Sequence, residues 1–304
     1  MTQIEQRDPF EALSAEPSPL APLWLALFDH HVSTGAAGMV TRPREGSWPR
    51  RRDHYRDTIS GSPRASLWIA TDDGTPVGYA LSFEDSLGGS DALGGSGAQV
   101  GSADAASSRI EVLETLSLLP ETRGQGLGAR LVSIVEGAAT ARGIERVAID
   151  VMGGNDRALR FYTRAGYAPY SKTWMRSVHP APGVVPPALG DTSDAEEVFA
   201  ALGVSLTQTG HSDDTWVTAS SVVMLDVAAG AVPPVGAGGV SAGGRAFEFA
   251  RWIAELNRGI DLLAEAGYWT VWAESRVSES AEALGDALIA RGFSHGMTRV
   301  LKWR

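Results

Sequence analysis

Arg109-Ile110-Glu111-Val112-Leu113-Glu114-Thr115-Leu116-Ser117-Leu118-Leu119-Pro120-Glu121-Thr122-Arg123-Gly124-Gln125-Gly126-Leu127-Gly128 reads as a buried strand that runs into a glycine-punctuated turn and out into a helix. The turn from Arg123 to Gly128 has three residues without Cβ, so its backbone can approach a ligand closely. Its N–H groups also lie at the positive end of the following helix dipole. Such a turn is a phosphate cradle, and a pyrophosphate is its natural occupant.

Two patterns compete for this turn. Gly124, Gly126 and Ala129 satisfy the dinucleotide pattern G-x-G-x-x-G/A, and Asp150 lies at the distance from which an acidic residue holds a ribose hydroxyl. In that fold, however, the apolar strand enters the first glycine directly. Here Pro120, Glu121, Thr122 and Arg123 intervene, and the strand carries two carboxylates. The other pattern is R-x-x-G-x-G from Arg123, with an apolar residue five positions earlier and a proline three positions earlier. This resembles the acetyl-CoA loop of the GNAT superfamily of N-acetyltransferases. It is the preferred reading, with an NAD-dependent oxidoreductase ranked below it.

The resemblance spans Pro22 to Arg176 and is strongest from Glu111 to Tyr167. It implies an α/β protein (α+β, mixed sheet) of the GNAT acyl-CoA N-acyltransferase fold that uses acetyl-CoA as cosubstrate. In it, Arg123, Gly124, Gln125, Gly126, Leu127, Gly128 and Ala129 hold the pyrophosphate. Leu116, Ser117 and Leu118 present backbone groups to the pantetheine arm. Asn155 contacts that arm, and Tyr162, seven residues on, returns a proton to the leaving thiolate. A phenol suits the task, since it is protonated at neutral pH yet donates to developing negative charge. The plainer roles are a helix cap for Asn155 and a core aromatic for Tyr162.

Attack on a thioester needs a neutral amine, so a base must take a proton from an ammonium. Glu111 and Glu114 are an odd number apart, and an unbroken strand aims them at opposite faces. Glu114, nine residues before Arg123, matches the glutamate of polyamine-type relatives and is the preferred base. A partly apolar cleft is expected to raise its proton affinity. A salt-bridged surface glutamate is the alternative, and many relatives use no dedicated base.

The chain has 304 residues, a net charge of −10 and no cysteine. That length allows two cores. The charge argues against nucleic acid as a partner, because phosphate backbones demand a basic surface. Residues 191–304 carry 8 Lys and Arg against 15 Asp and Glu, so −7 of the −10 falls there. Without cysteine there is no disulfide, thiolate metal site or cysteine nucleophile. No histidine spacing points to a metal. The start lacks a basic-then-apolar signal and no run reaches the ~20 apolar residues of a membrane span, which points to a cytoplasmic protein away from membranes. Arg50-Arg51-Arg52 with His54 and Arg56 is one basic cluster, either a solvated helix face or a site facing anionic groups. Trp24, His30, His31, Trp48 and Tyr55 belong to helices that line the acceptor side in relatives, although large apolar residues on a helix are more often core.

Along the chain, residues 1–20 read as a flexible tail, from Pro9, Pro17 and Pro19 among polar residues. Helical spacing follows from Pro22 and again from Trp48 to Ser60. Asp72-Asp73-Gly74 marks a hairpin. Residues 84–108, rich in Gly, Ser, Ala and Asp, read as a mobile insert. The catalytic unit is expected over 21–178, a proline-rich linker over 179–190, and a second unit over 191–304. That unit repeats the first in faded form: Gly267 aligns with Gly143, Gly292 with Gly166 and Leu288 with Tyr162, and Phe247 to Trp252 has no glycine where the cradle belongs. Two tandem GNAT-like domains, the second degenerate, are therefore expected. The second is expected to cover a sheet edge and one wall of the acceptor cleft.

The function expected is acetyl transfer to a primary amine of a small molecule or a peptide N-terminus, by direct attack in a ternary complex. The protein would act as a monomer or homodimer. A non-catalytic acyl-CoA-binding or partner-recognition module is the alternative. Neither the acceptor nor the acyl-chain preference is written in the sequence.

Overall fold

The computed structural model describes residues 2–34, 43–86, 109–177, 189–208, 222–228, 230–234, 242–268 and 270–303. Among the described residues, ten strands form one mixed sheet: β1 (Gln3–Arg7), β2 (Ala65–Asp72), β3 (Thr75–Ser86), β4 (Arg109–Leu118), β5 (Arg146–Met152), β6 (Ala168–Ser177), β7 (Val204–Gln208), β8 (Val222–Val227), β9 (Thr270–Arg276) and β10 (Ser294–Trp303). Eight helices accompany them: α1 (Pro9–Ser14), α2 (Ala21–Thr34), α3 (Ser47–Gly61), α4 (Leu127–Ala141), α5 (Asp156–Arg164), α6 (Ser193–Ala201), α7 (Ala242–Glu265) and α8 (Glu279–Ala290). None of the described helices is long and apolar enough to cross a membrane.

The strand order is β1-β2-β3-β4-β5-β10-β6-β9-β8-β7. β10, the last strand of the chain, lies between β5 and β6 and is antiparallel to both. β6 in turn pairs with β9. The two halves therefore exchange their last strands. Their cores interlock accordingly: Val300 of β10 packs with α4 and β5, while Trp174 of β6 packs with α7, α8 and β9. The tandem order of elements is present, and its strands form one sheet. Residues 179–188 of the expected linker and 87–108 of the expected insert lie outside the described residues.

The expected flexible N-terminal tail is a correction. Gln3–Arg7 pairs in register with Leu67–Thr71, and α1 buries Ala12 and Leu13. Asp8 caps α1 by accepting from the Glu11 N–H at 2.8 Å, with Pro9 in the first turn. These are helix-start signals that the prolines masked. β1 is largely exposed. It is held by backbone pairing at the sheet edge and so carries no apolar alternation to read.

The halves share local architecture. In both, a long helix ends at a left-handed glycine, Gly143 (φ 72°) or Gly267 (φ 88°). A shorter helix ends at Gly166 (φ 91°) or Gly292 (φ 82°). The closing bonds match as well: Tyr167 N donates to Tyr162 O at 3.0 Å, and Phe293 N to Leu288 O at 3.1 Å. They differ at the parallel pairs. β8 and β9 hold six successive register pairs. β4 and β5 share only two, Glu111 with Val147 and Val112 with Ala148, and beyond them run on to Leu118 and Met152 without pairing to each other.

Two layers of helix cover this half of the sheet. α1, α2 and α3 pack on Leu67, Ile69, Tyr79 and Leu81, and α4 packs on the opposite face against Ala70, Ala80 and Leu113. Asp73 (φ 46°) and Gly74 (φ 79°) close the β2–β3 hairpin, as the sequence predicts.

Candidate active site

The unpaired stretch of β4 borders the site. Its register with β3 slips between Leu81 and Ser82, which face Thr115 and Leu113, so Glu114 is an extra residue in a β-bulge. The bulge resets the alternation. Leu113 packs on the α4 face, whereas Thr115 and Ser117 turn toward α2 and α3. Ser117 Oγ donates to Leu23 O at 2.7 Å. Leu116 and Leu118 return to the α4 side.

The glycine turn follows a single 3-10 turn at Pro120–Thr122. Gly124 (φ 82°) and Gly126 (φ 81°) are left-handed, and a Cβ on either would meet only open space. Gly126 is the residue before α4, and no side chain caps the helix there. The first-turn N–H groups therefore face outward with the helix dipole behind them. Gly128 serves packing: a Cβ there would lie 3.4 Å from Leu118 and 3.7 Å from Phe161, so the helix seats directly on β4 and α5. Arg123 Nε donates to Leu118 O (3.1 Å) and Gln125 Nε2 to Glu121 O (3.0 Å), which fixes the turn. Gly124, Gln125, Gly126 and Ala129 are exposed, while Leu127 is buried. Burial and the neighbouring Arg157 hold the Arg123 guanidinium below its ordinary pKa, against the pull of Glu121. Two guanidinium groups thus converge beside uncapped helix N–H groups, an arrangement suited to an anion.

Asn155 caps α5, accepting from the Ala158 N–H at 3.2 Å. It also hydrogen-bonds His30 of α2, which partly offsets the lowering of that imidazole by burial, Arg123 and Arg157. His30 and Asn155 therefore meet beside the turn from opposite sides of the sheet. Tyr162 is 6% exposed and stacks edge-on with Phe161 (4.9 Å) and Tyr167 (5.7 Å). Burial alone pushes its phenol pKa well up, so it remains a proton donor at any physiological pH.

Glu114 departs from expectation. Burial would raise its pKa, but Arg51 and His54 outweigh burial and hold it at about 2. Arg51 Nη2 lies 2.5 Å and His54 Nε2 3.1 Å from the same Oε1. Arg51 also donates to Thr115 Oγ1 at 3.0 Å and lies between the rings of Trp24 (4.8 Å) and Tyr55 (4.5 Å). The expected rise in proton affinity is therefore corrected: the cleft at Glu114 holds a guanidinium rather than apolar surface. Glu111 lies on the α4 side, fully buried against Arg142 (2.6 Å), and burial raises its pKa against Ser82 and Arg142.

The basic cluster Arg50–Arg56 divides. Arg52 pairs with Glu16, Arg56 bonds Ser14, and Arg50 bonds the carbonyls of Pro43 and Glu45. Only Arg51 and His54, three apart on one face of α3, reach Glu114. That i, i+3 spacing was the available signal for them. Trp24 and Tyr55 are fully buried beneath Arg51. Half-buried His31 has a pKa of about 3, lowered by burial, His30, Arg51 and Arg123.

The comparisons with known proteins bear on this site. Residues 35–167 match the profile of the acetyltransferase (GNAT) family. None of the curated protein sequences compared matches significantly. A fungal multi-domain GH3 β-N-acetylglucosaminidase, described as containing a GCN5-related glucosamine N-acetyltransferase region, aligns over 99% of this chain and 38% of its own, at 10% identity and TM-score 0.51. PaiA N-acetyltransferase from Thermoplasma acidophilum, solved with coenzyme A, aligns over 55% and 91% at 18% identity and TM-score 0.38. An aminoglycoside N-acetyltransferase solved with CoA aligns over 55% and 87% at 20% identity and TM-score 0.36. At these identities the first likeness speaks to fold. The family profile covers the bulged strand, the glycine turn, Asn155 and Tyr162, and residues 35–167 are thus a domain of the acetyltransferase (GNAT) family.

Proposed function

We propose that the chain transfers an acetyl group from acetyl-CoA to a primary amine of a small molecule or peptide, with both substrates bound together and no covalent enzyme intermediate. One observation carries this reading: the uncapped N-terminus of α4, behind left-handed Gly124 and Gly126, opens at the end of β4 where that strand has parted from β5. The turn would hold the pyrophosphate, and the free edge of Leu116–Leu118 would bond the pantetheine arm as a neighbouring strand would. The arm then runs from the turn back toward the bulge at Glu114. Positioning supplies most of the rate. Tyr162 donates its proton to the sulfur as the carbon–sulfur bond breaks, and Asn155 contacts the arm while capping α5.

Residues 191–304 are read as a degenerate GNAT-like unit. The six-pair register of β8 with β9 leaves no parting between them. Its contribution to the catalytic unit is strand β10.

The absence of cysteine makes the test simple, since a thiol reagent reports only released CoA. Acetyl-CoA should raise the melting temperature and NAD should not. A panel of primary amines should then release free thiol. Stabilisation by NAD alone, or by neither nucleotide, would refute the reading; stabilisation by acetyl-CoA without thiol release would favour the binding-module alternative.

A further inference from the structure

We propose that His54 takes the proton from the incoming ammonium, with Glu114 and Arg51 as positioning residues; this rests on the acetyl transfer proposed above. The Glu114 carboxylate is already shared between two donors on α3, Arg51 Nη2 and His54 Nε2. An ionised carboxylate only accepts, so the imidazole donates through Nε2, and a neutral ring that does so carries its lone pair on Nδ1. Arg51 cannot withdraw from the carboxylate without leaving the Trp24 and Tyr55 rings and Thr115 Oγ1. Access separates the three groups: the Arg51 side chain is 8% exposed, Glu114 17% and His54 30%. Their location also fits. An arm lying along Leu118 to Leu116 brings the thioester to the bulge of Glu114 and Thr115, which α3 overhangs with His54.

The step balances without a co-reactant. The ammonium gives one proton to His54 Nδ1, and the freed lone pair forms the carbon–nitrogen bond. The carbon–sulfur pair departs on sulfur and takes the Tyr162 proton. The second proton on nitrogen restores the phenol, and His54 returns its proton to water.

The full-length wild type, His54→Gln, His54→Asn and Glu114→Gln would each be assayed with two amines of similar shape. One is a basic alkylamine that releases thiol with the wild type. The other carries electron-withdrawing substituents and is already neutral at pH 7. For the alkylamine, kcat should fall about 100-fold in the His54 variants. For the neutral amine it should change by less than about threefold, and the melting shift with acetyl-CoA should persist. Glu114→Gln should reproduce the split more weakly. An equal loss on both amines, or no loss, overturns the assignment of His54 while leaving acetyl transfer intact. A wild type that acetylates no amine overturns the acetyltransferase reading and this one together.

Discussion

Asp150 of β5 and Arg299 of β10 stand in direct register and are joined by two hydrogen bonds, 2.9 Å from Nε and 2.7 Å from Nη2. Burial would lower the Arg299 pKa, but Asp150 and Glu274 raise it further. The last strand of the chain is thus tied by charge to the strand that borders the cleft. A chain ending at residue 190 would leave the β5 edge open and Asp150 unpaired. It should be insoluble or unfolded, checked by expression and circular dichroism. Arg299→Ala in the full chain should cost on the order of 2 kcal/mol in urea unfolding. That is less than for a fully buried pair, because Asp150 keeps 24% exposure.

Gly153 lies where β5 meets β10, donating its N–H to Gly296 O at 2.7 Å. A Cβ there would sit 2.1 Å from His295 O, a backbone atom that cannot step aside. Gly153→Ala should therefore destabilise by more than about 2 kcal/mol. Gly124→Ala meets no atom and carries only left-handed strain, about 1 kcal/mol. Thermal unfolding of the two variants side by side checks the order, which reverses if the close approach of the strands is unimportant.

Two groups give the stability an acid limb. His31 has a folded pKa of about 3 against an ordinary 6.5. Between those values the unfolded chain binds a proton that the native state refuses, so stability falls as pH falls. Glu114, at about 2 against 4.5, contributes stability that is complete above 4.5 and lost toward pH 2. Between pH 7 and 4.5, His31→Gln should lose about 2 kcal/mol less than the wild type, whereas Glu114→Gln should alter the slope only below 4.5. Urea titrations at pH 7, 5.5, 4.5 and 3 distinguish the two windows.

Tyr162→Phe keeps the edge-on ring contacts with Phe161 and Tyr167 and removes only the buried hydroxyl. It should lower kcat by about 10- to 100-fold with stability and acetyl-CoA affinity nearly unchanged. Gly126→Ala should do the reverse, weakening acetyl-CoA binding through a strained turn. Unchanged thiol release in Tyr162→Phe would remove the phenol from the mechanism.

Features built from neighbouring residues were legible before any coordinates. The glycine turn, the hairpin at Asp73-Gly74, the helix begun by Asn155 and the paired helix-ending glycines of the two halves each follow from contacts a few residues apart. β1 was not legible, because Ile4 alone of its side chains packs on the core and pairing with the edge of β2 holds the rest. Neither was the state of Glu114. Its position nine residues before Arg123, matched to the family, picked out the carboxylate, but Arg51, 63 residues away, sets its charge.

The chain by itself determined the order of strands and helices from α2 to β6 and the turn that can cradle a phosphate, since local backbone preference and apolar spacing suffice for both. Tertiary structure alone decided that β4 bulges at Glu114 and parts from β5, and that β10 crosses into the first half to meet Asp150. Register and strand exchange arise from pairing between distant segments, whose free energy depends on partners that no local window contains.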